Sequence, residues 1–248
     1  MPTVVLETHE KVALLRLANG VTNAIGPVLV TELAALLSRI KADFRGCVLA
    51  GGTKFFSIGL ALPELIHLDR REMSRFWDAF DQLVLDLYCL PMPTAAAITG
   101  HATAGGTILA LSADYRLIAT GRKLMGLNEI NIGVPVPYLA ALMLERLVGA
   151  RTARDLQFKG DLIGPETALG LGLVDKTAPA AEIETLAIDA VHVLAEKPRA
   201  AFGLIKRGRA DAVRRRFEGV RAEKKEEMLD CWFTPSVHRL LCRAADKF

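Results

Sequence analysis

Ala95-Ala-Ala-Ile-Thr-Gly-His-Ala-Thr-Ala-Gly-Gly-Thr-Ile-Leu-Ala110 reads as a short apolar strand, a glycine-rich turn and the start of a helix. Residues 113–119 then return as another strand, and this order is the unit of a wound sheet with helices packed outside it. The same ββα order occurs at the N-terminus. Residues 4–7 and 12–17 form two strands around a polar His9-Glu-Lys11 turn, and Pro27 opens a helix whose Leu29, Leu33, Leu36, Leu37 and Ile40 share one face. Residues 46–50 make a buried strand that ends in Gly51-Gly52. The expected fold class is therefore α/β.

Downstream, residues 153–173 read as short helices and turns punctuated by Gly160, Gly164, Gly170 and Gly172. Residues 179–195 carry an apolar stripe, and from Pro198 the chain continues as a charged helical arm. This divides it into a core over 1–195 and a C-terminal helical region over 196–248. Such an arm has little core of its own and is expected to pack on a neighbouring subunit or to fold back over the body.

At 248 residues, 51% apolar and 24% charged, the chain can bury a full core. Its apolar runs fall well short of the ~20 residues that span a bilayer, and its N-terminus lacks the pattern of a secretory signal. A cytoplasmic protein is expected, with no membrane partner. Cys47, Cys89, Cys231 and Cys242 form no paired motif, and the five histidines are scattered. Free thiols and no metal follow. The net charge of +3 divides unevenly, with +6 on residues 196–248, but both signs alternate there at helical spacing, as on a solvated helix face. Nucleic acid is not an expected partner, since few aromatic platforms accompany those charges.

The chemistry gathers in three loops. Lys123-Leu-Met-Gly-Leu-Asn-Glu-Ile-Asn-Ile-Gly-Val-Pro-Val-Pro-Tyr138 sets one carboxylate, Glu129, beyond Lys123 in an otherwise uncharged run, a candidate general base. The loop through Gly59 and the helix start at Ala104-Gly105-Gly106 can offer backbone N–H groups to developing negative charge. Taken singly, each loop reads as a tight structural turn. Together they suggest proton removal from carbon beside a stabilised oxyanion.

Phe56-Ser-Ile-Gly-Leu60, Gly100-His-Ala-Thr-Ala-Gly-Gly106 and Ala113-Asp-Tyr-Arg-Leu-Ile-Ala119 resemble the motifs of the crotonase, or enoyl-CoA hydratase/isomerase, superfamily, and the resemblance runs from the opening hairpin to about Asp175. It implies a crotonase-like spiral of ββα repeats, a homotrimer or dimer of trimers, and an acyl-CoA substrate, with coenzyme A carried by the substrate and no separate cofactor. It further implies that the N–H groups of Leu60 and Gly105 hold the thioester oxygen. Ser57, Ile58, Gly59, Ala61, Ile108, Pro137 and Tyr138 would line the substrate path.

Hydratases of the superfamily use two glutamates. The first of those positions is Ile108 here, and the second is Glu129. The aspartate that other branches place eight residues further on is Pro137. Thr103-Ala-Gly-Gly-Thr-Ile108, Gly126-Leu-Asn-Glu129 and Pro137-Tyr138 resemble the mitochondrial-type delta3-delta2-enoyl-CoA isomerase. The resemblance thus implies an isomerase of fatty acid β-oxidation that moves a 3-enoyl double bond to the 2 position with Glu129 alone. Ile58 and Ala61 depart from the motif and bear on substrate choice. The alternatives are another one-acid crotonase, hydratase-like or decarboxylating, and a weakly catalytic relative that binds RNA or protein through its basic arm.

Overall fold

The structure, a computed structural model, describes residues 1–247. β1 (Val4–His9) and β2 (Val12–Leu17) pair antiparallel with His9 opposite Val12, and α1 (Pro27–Asp43) follows with proline in its first turn. Next come β3 (Gly46–Ala50), β4 (Phe55–Ser57), α2 (Leu62–Leu65) and α3 (Arg70–Tyr88). A second run holds β5 (Thr94–Ile98), β6 (His101–Thr103), α4 (Gly105–Leu111), β7 (Tyr115–Ala119) and β8 (Met125–Gly126). A short 3-10 turn at Glu129–Ile132 leads to α5 (Tyr138–Lys159), α6 (Pro165–Gly170) and β9 (Lys176–Ala178). Four helices close the chain: α7 (Ala180–Ala195), α8 (Arg199–Glu218), α9 (Arg221–Trp232) and α10 (Pro235–Ala245).

The main sheet has the order β1-β2-β3-β5-β7-β9, parallel throughout except for the opening hairpin. Its inner strands are buried on both faces, which is why β3 and β5 read as unbroken apolar runs rather than alternating ones. α7 covers one face, setting Ile183, Ala187 and Val191 against the small side chains of β3, β5 and β7. The other face carries the large core, to which α1 adds Leu29, Leu33, Leu37 and Ile40, the stripe expected from the sequence.

Two readings are corrected. Residues 70–88 form a long helix that the sequence reading lacked, although Asp69 and Glu72 make a reciprocal capping box at its start and its buried Met73, Phe76, Trp77, Phe80, Leu83, Val84 and Leu87 recur at helical spacing. Ala153 belongs to α5, which runs to Lys159 across a break at Gly149 instead of ending in short turns. The C-terminal arm folds back over the body, one of the two outcomes expected of it: α9 packs on α3, α10 packs on α2 and the 3-10 turn, and Phe217, Met228, Leu229, Trp232 and Leu241 join the main core.

A second sheet, absent from the sequence reading, decides where the chemistry lies. β4, β6 and β8 are two or three residues each and pair in that order, all parallel. Strands this short carry no usable hydropathy period, so they read as loop.

Candidate active site

Because the three short strands run parallel, their C-terminal ends emerge on the same side. Leu60 follows β4 by three residues, Gly105 follows β6 by two, and Glu129 follows β8 by three. Neighbouring strands lie ~4.8 Å apart, so three loops scattered over 70 positions of sequence converge within roughly 10 Å. They open on a mostly apolar cavity of about 370 Å³ whose wall includes Leu60, Gly105 and Glu129.

The two donor loops touch. A Cβ built on Gly59 would lie 3.1 Å from the Gly105 nitrogen, and one on Gly105 would lie 3.2 Å from Gly59 Cα and 3.4 Å from the Leu60 nitrogen. Glycine is needed at Gly59, where φ is +106, and at Gly105 a methyl would have to push its neighbours back. Among the described residues neither the Leu60 N–H nor the Gly105 N–H donates to a protein acceptor, whereas their neighbours do: Ile25 N–H donates to Gly59 O at 2.8 Å and Ala61 N–H to Ile25 O at 3.0 Å. Ala104, at φ 48 and ψ −118, holds the turn into α4 in a conformation uncommon for a residue with a Cβ. Two free donors side by side, one of them opening a helix, make a pre-arranged site for an oxyanion.

The loops are held by buried side chains, of which the sequence reading sets Ser57 on the substrate path and gives Asn23, Thr103 and Thr107 no role. Asn23, 1% exposed and at φ 47, donates from Nδ2 to Phe55 O and Phe56 O, both at 3.2 Å. Ser57 Oγ donates to Asn23 O at 2.8 Å and accepts from Gly59 N–H at 3.1 Å. Thr103 Oγ1 reaches Ile58 O at 2.7 Å, and Thr107 Oγ1 spans β6 and β8.

Glu129 opens the 3-10 turn that Gly133 closes in the left-handed conformation. It is 5% exposed, and neither carboxylate oxygen has a hydrogen-bond partner among the described residues. Burial, which penalises the charged form, raises its pKa to about 7. It is the only carboxylate among the described residues of the cavity wall, and Ile108, 2% exposed, lines the same wall without an acid.

Of the other sequence-derived positions, Ile58 and Pro137 line the cavity. Ser57, Gly59 and Ala61 do not; they sit behind the wall and shape the loop. Tyr138 also lies off the wall. Standing first on α5, its hydroxyl accepts from Arg216 Nε at 3.0 Å and its ring faces Arg216 and Lys224. His101 is likewise outside, its Nδ1 accepting from Leu124 N–H at 3.1 Å. The sequence reading missed Trp77 and Phe80 of α3 and Trp232 of α9, all of which line the cavity. Lys247 is its only cation among the described residues.

Among the described residues no three metal-ligating side chains cluster, the four cysteines are free, and no helix is long and apolar enough to cross a membrane.

Comparison with known proteins identifies the family and the fold. The family model for enoyl-CoA hydratase/isomerase matches residues 7–232. Human mitochondrial enoyl-CoA delta isomerase 1 is 33% identical over 184 residues, covering 73% of this chain and 61% of that protein. A probable enoyl-CoA hydratase of Mycobacterium avium is 33% identical over 214 residues, covering 86% of this chain and 81% of the other. The crystal structure of human mitochondrial delta3-delta2-enoyl-CoA isomerase superposes with a TM-score of 0.95 at 28% identity, over 99% of this chain and 97% of that one. The chain spans under two thirds of the length of the mammalian isomerases it matches.

Proposed function

The chain belongs to the enoyl-CoA hydratase/isomerase family, and from that premise we propose that it is an enoyl-CoA isomerase that moves the double bond of a 3-enoyl-CoA to position 2. In this reading the Leu60 and Gly105 N–H groups hold the thioester oxygen. Glu129 takes a proton from C2, and the C2–H electron pair enters a dienolate whose negative charge falls on that oxygen. The protonated Glu129 then returns the proton at C4 as the C2=C3 bond forms. No atom is gained or lost, and the protein groups named are sufficient for each step.

The observation that carries the proposal is the isolated Glu129. A carboxyl at about 7 is matched to accepting and returning a proton near neutral pH. Hydration would require a second group to position and activate water, and the position where hydratases keep their other glutamate is Ile108. Removing one oxyanion donor costs ~3 kcal/mol of transition-state stabilisation, so two such donors are a large part of the expected rate enhancement.

Hydration is the second reading, favoured by the mycobacterial relative's name and its long alignment. The deciding experiment assays isomerisation of a 3-enoyl-CoA and hydration of crotonyl-CoA on the same preparation. Isomerisation much the faster is expected; comparable or faster hydration overturns the proposal. The cytoplasm is the proposed compartment, to be checked by cell fractionation, since the human relative is named mitochondrial.

A further inference from the structure

The donors and Glu129 fix where the first four acyl carbons lie, so everything beyond C4 must occupy the rest of the cavity. That space meets three aromatic rings, Trp77 and Phe80 from α3 and Trp232 from α9. They are 4%, 1% and 1% exposed, so they have packed core behind them rather than solvent. Trp77 tilts against Phe80 with centroids 6.1 Å apart, and Phe80 stacks on Phe76 at 6.1 Å.

The helix that brings Trp232 is also fastened. Lys225 Nζ pairs with Asp78 Oδ2 at 2.8 Å, and Arg221 donates to Asp78 O at 2.7 Å and Gln82 Oε1 at 2.8 Å, tying α9 along α3. A wall backed by packed side chains and fixed at its helix does not yield cheaply to extra methylenes. The cavity volume of about 370 Å³ lies at the low end of the ~300–1,000 Å³ of ligand sites, and it must also take the reacting carbons.

We infer that Trp232, backed by Trp77 and Phe80, is the acyl stop of this site and restricts it to short acyl chains. The inference rests on the isomerase reading for the placement of C1 to C4. Below the stop, each added methylene should raise kcat/KM ~4-fold through burial; the first methylene that meets the ring should reverse the trend.

The test is a length series of 3-enoyl-CoA esters with wild type, Trp232→Phe and Trp232→Ala. Wild type should rise and then fall at least ~10-fold at one length, and the alanine variant should move that break about two or more methylenes outward, with phenylalanine between. A second measurement leaves Trp232 in place. The chain has two tryptophans, so in Trp77→Phe the emission reports Trp232 alone. Titration with saturated acyl-CoA esters should perturb it only from the length at which wild-type turnover breaks.

A series without a break, or a break unmoved in a folded Trp232→Ala, overturns the inference. If that variant does not fold, emission independent of chain length overturns it instead. Failure of wild type to isomerise any ester, with the length-dependent emission intact, would sink the isomerase reading while leaving the stop in place.

Discussion

Replacing Glu129 by glutamine should make the protein more stable above neutral pH while making it inactive, and the size of the gain follows from the burial of the carboxyl. The folded-state pKa is about 7 against an ordinary 4.5. Between those values the unfolded chain has released the proton and the folded chain still holds it, so stability falls as pH rises through this window and the deficit is complete above it. A difference of this size corresponds to ~3 kcal/mol. For a chain of 248 residues, at ~2–4 °C per kcal/mol, that is ~6–12 °C in Tm.

Glutamine cannot ionise. Whatever constant cost its own buried amide adds, the Tm difference between Glu129→Gln and wild type should shift by about three quarters of that amount in the variant's favour from pH 5 to pH 8, the rest having developed below pH 5. Asp81, also buried and raised to about 7, contributes equally to both proteins and cancels. Over the same range wild-type kcat/KM should climb as the base form of Glu129 fills, and the variant should lose ~10²–10⁴ in kcat with acyl-CoA binding retained. The measurement is thermal unfolding at four pH values beside a pH–rate profile. A Tm difference flat across pH, together with near wild-type turnover, would refute both the burial argument and the assignment of the base.

Gly105→Ala places a methyl 3.2 Å from Gly59 Cα, so it should spread the two donors and lower kcat by ~10²-fold with a smaller change in KM, as steady-state kinetics would show; an unchanged kcat counts against the oxyanion site. Lys247→Ala should raise KM for full CoA esters several-fold and flatten its salt dependence while leaving truncated pantetheine thioesters unaffected, because the only cation on the described cavity wall is suited to a phosphate; equal effects on both ester types would reject a phosphate contact. Lys206, buried and bonded to Asp114 Oδ2 at 2.6 Å and Met92 O at 2.9 Å, sits in a second cleft whose wall includes the last residue of α4, Leu111. Lys206→Met leaves Asp114, partly exposed and still hydrogen-bonded by Thr94, without its lysine partner and should cost ~1–3 kcal/mol in denaturant unfolding with kcat kept, and a fall in kcat at full folding would show that this pair supports the site.

The local chemistry of the site was legible in the sequence wherever a residue acts through its own backbone or its own charge. Gly59 and Gly105 announce places where only a missing Cβ permits close approach, and Glu129 stands out because few charges share its run. The helix and strand periods of the main sheet were legible for the same reason, since burial on one face writes a repeat into α1 and an unbroken apolar run into β3. What the sequence did not carry was the meeting of these parts. β4, β6 and β8 are too short to hold a period, yet their parallel pairing brings Leu60, Gly105 and Glu129 to one edge. Tyr138 points away from the cavity because of its position on the first turn of α5, and Trp232 and Lys247 reach it because α9 and α10 fold back over the core. Direction and return are properties of packing between elements distant in sequence, and only the tertiary structure decided them.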